Sequence, residues 1–387
     1  MTSRRPRRSR QAAVALSLGL ALVASGGAAA ASAPEGADHP RSPRTSQPRD
    51  LPERVLVGYH HTTFANGSGY MRLADVPDEW DVVNLSFGES SGDGVIDFER
   101  CSQEECPDRE TDEEFKAAVA DLQAAGKTVQ LSIGGANGTV QLTSPAARDN
   151  FVSSVGGIVD EYGLDGVDVD FEGSSLYLDE GDRDFREPTT PVITHLIEAL
   201  QTLAGSSEGF TLTMAPETFF VQVGYEFYGS GQHGGADPRA GAYLPVIHAL
   251  RDELTLLHVQ HYNSGPIKAL DDVYYTMGEA DFHAAMADMV LSGFPVEGDA
   301  DRFFEPLRPD QVAFGLPASQ EAGNGFTPVA QVHSALDCLI KGSGCGRYQP
   351  QGTHPDLRGL MSWSINWDAF NGFEFSSEHR AYLDSLS

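Results

Sequence analysis

Eight short, apolar, β-rich runs at barrel spacing, helices with legible ends between them, and a row of carboxylates on the fourth run predict an α/β protein built as a single (β/α)8 or TIM barrel. The runs lie at 55–59, 82–87, 128–133, 166–171, 211–216, 255–262, 312–317 and 359–363. Several are almost continuously apolar, as parallel strands covered on both faces should be, and the repetition of strand, helix, strand eight times over favours a closed barrel over an open doubly wound sheet. A chain of 387 residues accommodates one such barrel without a second domain.

In chain order, the first two runs are followed by Thr111 and Glu114, which form a capping box, and Gly126 suits the end of that helix. Ser144-Pro145, Thr190-Pro191 and Thr327-Pro328 each place a capping hydroxyl before a proline at the first helical position, with Gly163, Gly205 and Gly342 beyond the periodic segment. The loop after the fifth run, 219–243, is long, glycine-rich and aromatic, and loops at that end of a barrel build binding sites. The interval between the last two runs has room for one loop, one helix and a turn.

The formal charge is −30, yet the first 50 residues hold 8 of the 26 basic residues and 3 of the 56 acidic ones. The rest of the chain is therefore near −35, from 18 basic against 53 acidic residues. Such a surface repels phosphate backbones and anionic lipids, so no nucleic-acid partner and no membrane partner is expected, and a neutral or cationic ligand is favoured. Residues 1–33 combine an arginine cluster (Arg4, Arg5, Arg7, Arg8, Arg10), a short apolar run and small residues that offer A-x-A cuts, the layout of a secretory signal. Paired arginines leave a twin-arginine route open. Residues 34–50, rich in Pro, Ser and charge, read as a disordered linker, and 51–387 as the barrel. A secreted, extracellular protein is expected. Its four cysteines allow three pairings, with Cys101 to Cys106 and Cys338 to Cys345 favoured as neighbours; zinc-ligand spacing is absent from both.

The fourth run reads Leu164-Asp165-Gly166-Val167-Asp168-Val169-Asp170-Phe171-Glu172-Gly173. Strand alternation puts Asp168, Asp170 and Glu172 on one face and the apolar residues on the other, while Asp165 falls outside the alternation and suits a turn at the strand entrance. Three partly buried like charges cannot all ionise cheaply, so at least one proton should sit on the row at neutral pH. Glu172, at the C-terminal mouth, is then placed to act as a general acid. Two readings compete with this: carboxylates merely satisfied by backbone or arginine donors, and an oxygen-rich Mg²⁺ or Ca²⁺ site. Ligands spread along one strand with no histidine among them argue against the metal, and no cofactor is expected.

Asp165-Gly166-x-Asp168-x-Asp170-x-Glu172 resembles the D-G-x-D-x-D-x-E signature of family 18 glycoside hydrolases, the chitinase family. Ser132-Ile133-Gly134-Gly135, Met214-Ala215-Pro216-Glu217, Gln260-His261-Tyr262-Asn263 and Met361-Ser362-Trp363 are similar to its third, fifth, sixth and eighth strand ends. The resemblance implies a retaining, substrate-assisted hydrolysis of β-1,4-linked N-acetylglucosamine polymers. Glu172 would be the acid, Asp170 the partner of the acetamido N–H with Asp168 sharing its proton, Tyr262 a donor to the acetamido oxygen, and Trp363 the stacking floor. Ser132, Met214, Gln260 and Asn263 would line the site, with core packing the alternative for Met214. Tyr59 reads equally as a site-lining residue or a barrel-core tyrosine. Glu217 is expected exposed on a loop within reach of sugar hydroxyls, and His60 and His61 are expected exposed just after the first strand. The short interval after the seventh strand leaves no space for the insertion some chitinases carry, which implies an open groove suited to internal cleavage. Chitin or its oligosaccharides would be the partner, and the protein a monomer. An endo-β-N-acetylglucosaminidase acting on N-glycan cores and a non-catalytic chitin-binding lectin are the alternatives on the same scaffold.

Overall fold

In the computed structural model, which describes residues 51–231 and 237–386, all eight predicted runs are strands. They are β1 (Val55–His61), β2 (Val82–Gly92), β3 (Thr128–Gly134), β4 (Gly166–Asp170), β5 (Thr211–Met214), β6 (Leu256–Gln260), β7 (Val312–Pro317) and β8 (Gly359–Trp363). Each runs parallel to its neighbour in sequence, and β8 pairs back to β1 from Val55↔Gly359 onward, which closes the sheet into a barrel. The expected leader and linker at 1–33 and 34–50 lie outside the described residues.

Strand alternation separates two environments. Outward residues such as Leu56, Val83, Leu131, Val167, Leu212 and Val259 join one large apolar cluster under the helices. Inward, Val55, Val57, Val82, Leu256 and Ala313 belong to a smaller cluster. Beside it the interior turns polar: Gln130 Nε2 donates to Asn84 Oδ1 and Thr213 Oγ1, and Thr211 Oγ1 donates to Gln130 Oε1. All four side chains are buried, and this pairing offsets the cost of removing them from water.

The helices are α1 (Asp112–Ala124), α2 (Pro145–Tyr162), α3 (Pro191–Ala204), the short α4 (Leu244–Ala249), α5 (Ala280–Ser292), α6 (Val329–Lys341), α7 (Ile365–Phe370) and α8 (Glu374–Asp384). Thr111 and Glu114 form the expected capping box on α1. Ser144 caps α2, which ends at a left-handed Gly163. Two expected caps fail because their hydroxyls are taken. Thr190 Oγ1 donates to the buried Asp182 Oδ2 at 2.6 Å instead of capping α3. Thr327 Oγ1 sits 2.8 Å from His283 Nε2, and α6 starts two residues later. Cysteines are paired Cys101–Cys106 and Cys338–Cys345. Among the described residues no helix is long and apolar enough to cross a membrane.

His60 and His61 are not exposed loop residues. β1 continues through both, and each is 0% exposed. The strand extends because partners await the rings: Thr62 Oγ1 and Met71 O for His60, Ser364 Oγ and Ser68 Oγ for His61. Burial holds His60 down to about 4 and His61 to about 3, the latter with help from His60. Burial also lowers His283 and His379 to about 3. In each case the folded-state value lies below the unfolded one, so below pH 6.5 the unfolded chain takes up protons that the native fold refuses.

Stability should therefore be intact above about pH 6.5 and fall toward pH 4, by up to about 1.4 kcal/mol per pH unit for each such ring. Calorimetric melts from pH 7 to 4.5 should show a falling melting temperature. A His379→Gln variant should show a shallower dependence on pH; an unchanged slope would place the proton uptake elsewhere.

Candidate active site

The inward face of β4 carries the carboxylate row at the C-terminal mouth. Asp168 is 0% exposed and Asp170 4%, while Glu172 stands one residue past Phe171 and is half-buried. Asp165 accepts from Val129 N–H at 2.8 Å, tying the entrances of β3 and β4 together.

Asp168 is surrounded by donors. Tyr59 Oη and Ser132 Oγ donate to Oδ2 at 2.7 and 2.8 Å, Thr213 Oγ1 donates to Oδ1 at 2.6 Å, and His258 Nε2 lies 3.3 Å from Oδ1. Burial pushes the Asp168 carboxyl up, but His258, Thr213 and Tyr59 outweigh it and hold it below the ordinary range. Its neighbours move the other way. Burial, then repulsion from Glu172, Asp168 and Glu217, drives Asp170 well above the ordinary range. Burial raises Glu172, opposed by its bond from Gln260. Gln260 Nε2 reaches Asp170 Oδ1 at 2.9 Å, Glu172 Oε1 at 3.0 Å and Ala215 O at 2.9 Å. Two amide hydrogens serve three acceptors, so this one side chain ties the upper two carboxyls together.

Glu217 corrects the sequence reading. It is half-buried and not exposed, because three residues past the end of β5 it pairs with Gln260 in an isolated parallel bridge, and burial together with Glu172 lifts it to about 7. Tyr262 is 6% exposed; burial, then Asp170, keeps its phenol protonated well beyond neutral pH. The opposite wall is aromatic. The half-buried Trp363 ring lies 5.6 Å from Phe87 at 14°, 6.5 Å from Phe64 at 25° and 4.8 Å from His61 at 37°. Phe87 reaches that wall where β2 shifts register against β3 between Ser86 and Gly88.

The expected lining divides into three groups. Ser132 and Gln260 stand at the carboxylates, as described. Tyr59 is 1% exposed and supports Asp168 from below, so it is a barrel-core tyrosine and does not line the mouth. Met214 is 0% exposed and belongs to the helix-facing cluster: Thr211 and Thr213 point inward, so alternation sends Met214 out. Asn263 is exposed, at φ +49°, and its Oδ1 accepts from Asn324 N–H at 2.9 Å. Gly134 and Gly135 serve a close approach. Gly134 has φ +113°, and a Cβ there would fall 2.2 Å from Asp170 O, the carbonyl that accepts Gly135 N–H at 2.7 Å. The residues missed are Thr213 and His258, which counting in twos along β5 and β6 would have found, and the aromatic neighbours Phe64, Phe87 and His61, which carry no local signal.

Cavities open on both sides of this centre. One of about 470 Å³, on the β1–β2 side, is lined by Thr63, Phe87, Glu89, Asp97, Glu99 and Glu105 among others. The other, of about 550 Å³, lies beyond β5 and β6 between Glu217, Phe219, Phe227, Arg239, Asn263 and Tyr274.

Removing the Glu217 charge should lower the pKa of the upper carboxyls, since above about pH 7 that charge opposes their ionisation. Carbon-13 NMR titration of side-chain-labelled Asp and Glu in Glu217→Gln beside wild type should show the Asp170 transition at lower pH. A transition that stays put or rises would show that Glu217 does not act on the row.

Residues 55–263 match the family model described as "Glycosyl hydrolases family 18". A protein of Streptomyces olivaceoviridis named "Exochitinase 1" is 62% identical over 337 residues, 86% of this chain and 56% of that protein. A "Probable class II chitinase" of Arthroderma benhamiae is 58% identical over 318 residues, 81% of this chain and 95% of that one. The crystal structure of a family GH18 chitinase from Chromobacterium violaceum aligns with a TM-score of 0.77 at 38% identity, over 86% of this chain and 84% of that one. The chain thus spans little more than half the length of the Streptomyces relative.

Proposed function

The chain belongs to glycosyl hydrolase family 18, and from that premise we propose that it is a secreted chitinase cleaving β-1,4 bonds within N-acetylglucosamine polymers, with retention of anomeric configuration. The observation that carries this reading is the carboxylate row at the barrel mouth, with Asp168 buried among three hydroxyl donors and His258, and Asp170 and Glu172 joined above it by the Gln260 amide.

Glu172, carrying its proton, donates it to the glycosidic oxygen. The carbonyl oxygen of the substrate's own 2-acetamido group attacks the anomeric carbon, the bond to the leaving sugar breaks, and an oxazolinium ion forms. Asp170 passes the proton it carries to the ionised Asp168 two residues below it, accepts the acetamido N–H as a carboxylate, and its charge steadies the positive charge growing beside it. Tyr262, a neutral phenol, donates to the acetamido oxygen. Trp363 offers its ring face to the sugar. Glu172, now a carboxylate, takes a proton from water, which opens the ion at the anomeric carbon and restores the acetamido group. No step needs a metal or a cofactor.

Openings on both sides of the centre support internal cleavage of a long chain, although the Streptomyces relative is named an exochitinase. Export is supported by the two disulfides, which persist in oxidising compartments.

Glu172→Gln should lose at least about 10²-fold in turnover of chitin oligomers. Proton NMR of freshly formed ends should show the β-anomer first, and a chelator should leave the rate unchanged. Rapid loss of viscosity of a soluble chitin derivative would support internal attack, while release of only short products at constant viscosity would contradict it. Inversion at the anomeric carbon, or equal cleavage of a fully deacetylated polymer, would refute the acetamido nucleophile. Release of glycan from a high-mannose glycoprotein without cleavage of chitin would refute the choice of substrate.

A further inference from the structure

β4 ends before its reactive residue. The ladder stops with Ala215 N–H donating to Val169 O at 2.9 Å and Gly135 N–H to Asp170 O at 2.7 Å. Glu172 lies beyond, in a segment without ladder partners, and its carboxyl meets Gln260. Such a segment left to itself would let the carboxyl wander.

Two side chains from one loop hold it. The Phe171 N–H, immediately before Glu172, donates to Tyr243 Oη at 2.7 Å. The Gly173 carbonyl, immediately after it, accepts from Arg239 Nη1 at 3.0 Å. Both residues belong to the connection between β5 and α4. We propose that Tyr243 and Arg239 are positioning residues that clamp the backbone on either side of Glu172 and thereby set where its carboxyl stands against Asp170 and the scissile bond. The proposal rests on Glu172 being the acid.

Each arm of the clamp is itself fixed. Tyr243 is 0% exposed, its N–H donates to Phe220 O at 3.1 Å, and its ring meets Phe220 edge-on at 5.8 Å. Its own hydroxyl proton faces Val169 O at 3.4 Å, so the lone pairs are turned toward Phe171. Arg239 is braced by Asp237, with Nε–Oδ1 at 2.9 Å and Nη2–Oδ2 at 2.6 Å, and stands over the Phe219 ring at 5.5 Å. That bidentate pair leaves Nη1 free to point at Gly173. The fully buried Tyr243 acts through the backbone and not on the sugar. The same loop contributes Glu217 and the wall of the 550 Å³ cavity, so the chain segment that meets the polymer also seats the acid.

The test compares Tyr243→Phe, Arg239→Ala and Arg239→Lys with wild type and Glu172→Gln on a soluble N-acetylglucosamine oligomer. Tyr243→Phe keeps the ring and removes the hydroxyl that accepts from Phe171 N–H and faces Val169 O; Arg239 is half-exposed and its loss leaves the core intact. Because small misplacement of a reacting group is costly, both truncations should lower kcat by about tenfold or more at a temperature where both remain folded, with the KM of Tyr243→Phe within about twofold. The alkaline limb of the pH profile should move with them, and Arg239→Lys should recover part of the loss. Wild-type kcat and pH limb in both truncations, with Glu172→Gln inactive, would overturn the clamp alone. Full activity of Glu172→Gln would overturn the acid assignment and the clamp together.

Discussion

Repulsion among three carboxylates on one strand face is the constraint around which the barrel interior is organised. Asp168 and Asp170 are two residues apart on β4, so the strand cannot turn one away without the other, and Glu172 continues the row two residues past the strand's end. A low-dielectric interior does not tolerate three adjacent charges. The conflict is resolved by unequal treatment: hydroxyls from β1, β3 and β5 converge on Asp168, with the β6 histidine close by, while Asp170 and Glu172 share a single amide. Charge therefore settles at depth and protons collect at the mouth, where an incoming bond would need one. Loss of a donor to Asp168 would consequently be felt two residues higher, although it never meets the ligand.

The same strand imposes a geometric problem. Hydrogen bonding to β3 and β5 ends at Asp170, yet the row extends to Glu172. Close approach of the Gly134 backbone anchors one side of the strand end, and loop side chains anchor the other. Across the mouth, the Trp363, Phe87 and Phe64 rings lie at low mutual angles and present apolar faces to whatever enters. A ligand with one apolar ring face and one amide-bearing edge matches both walls at once.

Much of this was legible in the sequence, for physical reasons that also explain the failures. Parallel strands buried on both faces must be apolar throughout, so all eight runs could be found, and a period of two gave the carboxylate row. Errors arose where a side chain's partner is remote. Thr190 looks like a cap until Asp182 claims its hydroxyl, and His60 and His61 look solvated until Met71, Ser68 and Ser364 supply their partners. For Met214, counting its face separates the two readings, since Thr213 beside it points inward and leaves Met214 to core packing. Tyr243 lies 72 residues from the amide it accepts, and no local pattern announces such a contact.

The chain's strong acidity bears on the site less than its size suggests. Exposed charges are screened beyond about 8–10 Å at ordinary ionic strength, so the surface field reaches the mouth weakened. Glu217 is different: it is half-buried, its charge and that of Glu172 oppose each other, and Arg239 relieves it only in part. One near, poorly solvated carboxylate thus does more to keep a proton on the row than many distant ones. An uncharged polysaccharide takes no part in that repulsion, so the row can be tuned by like charge without driving the ligand away, which a phosphorylated or otherwise anionic polymer would not permit.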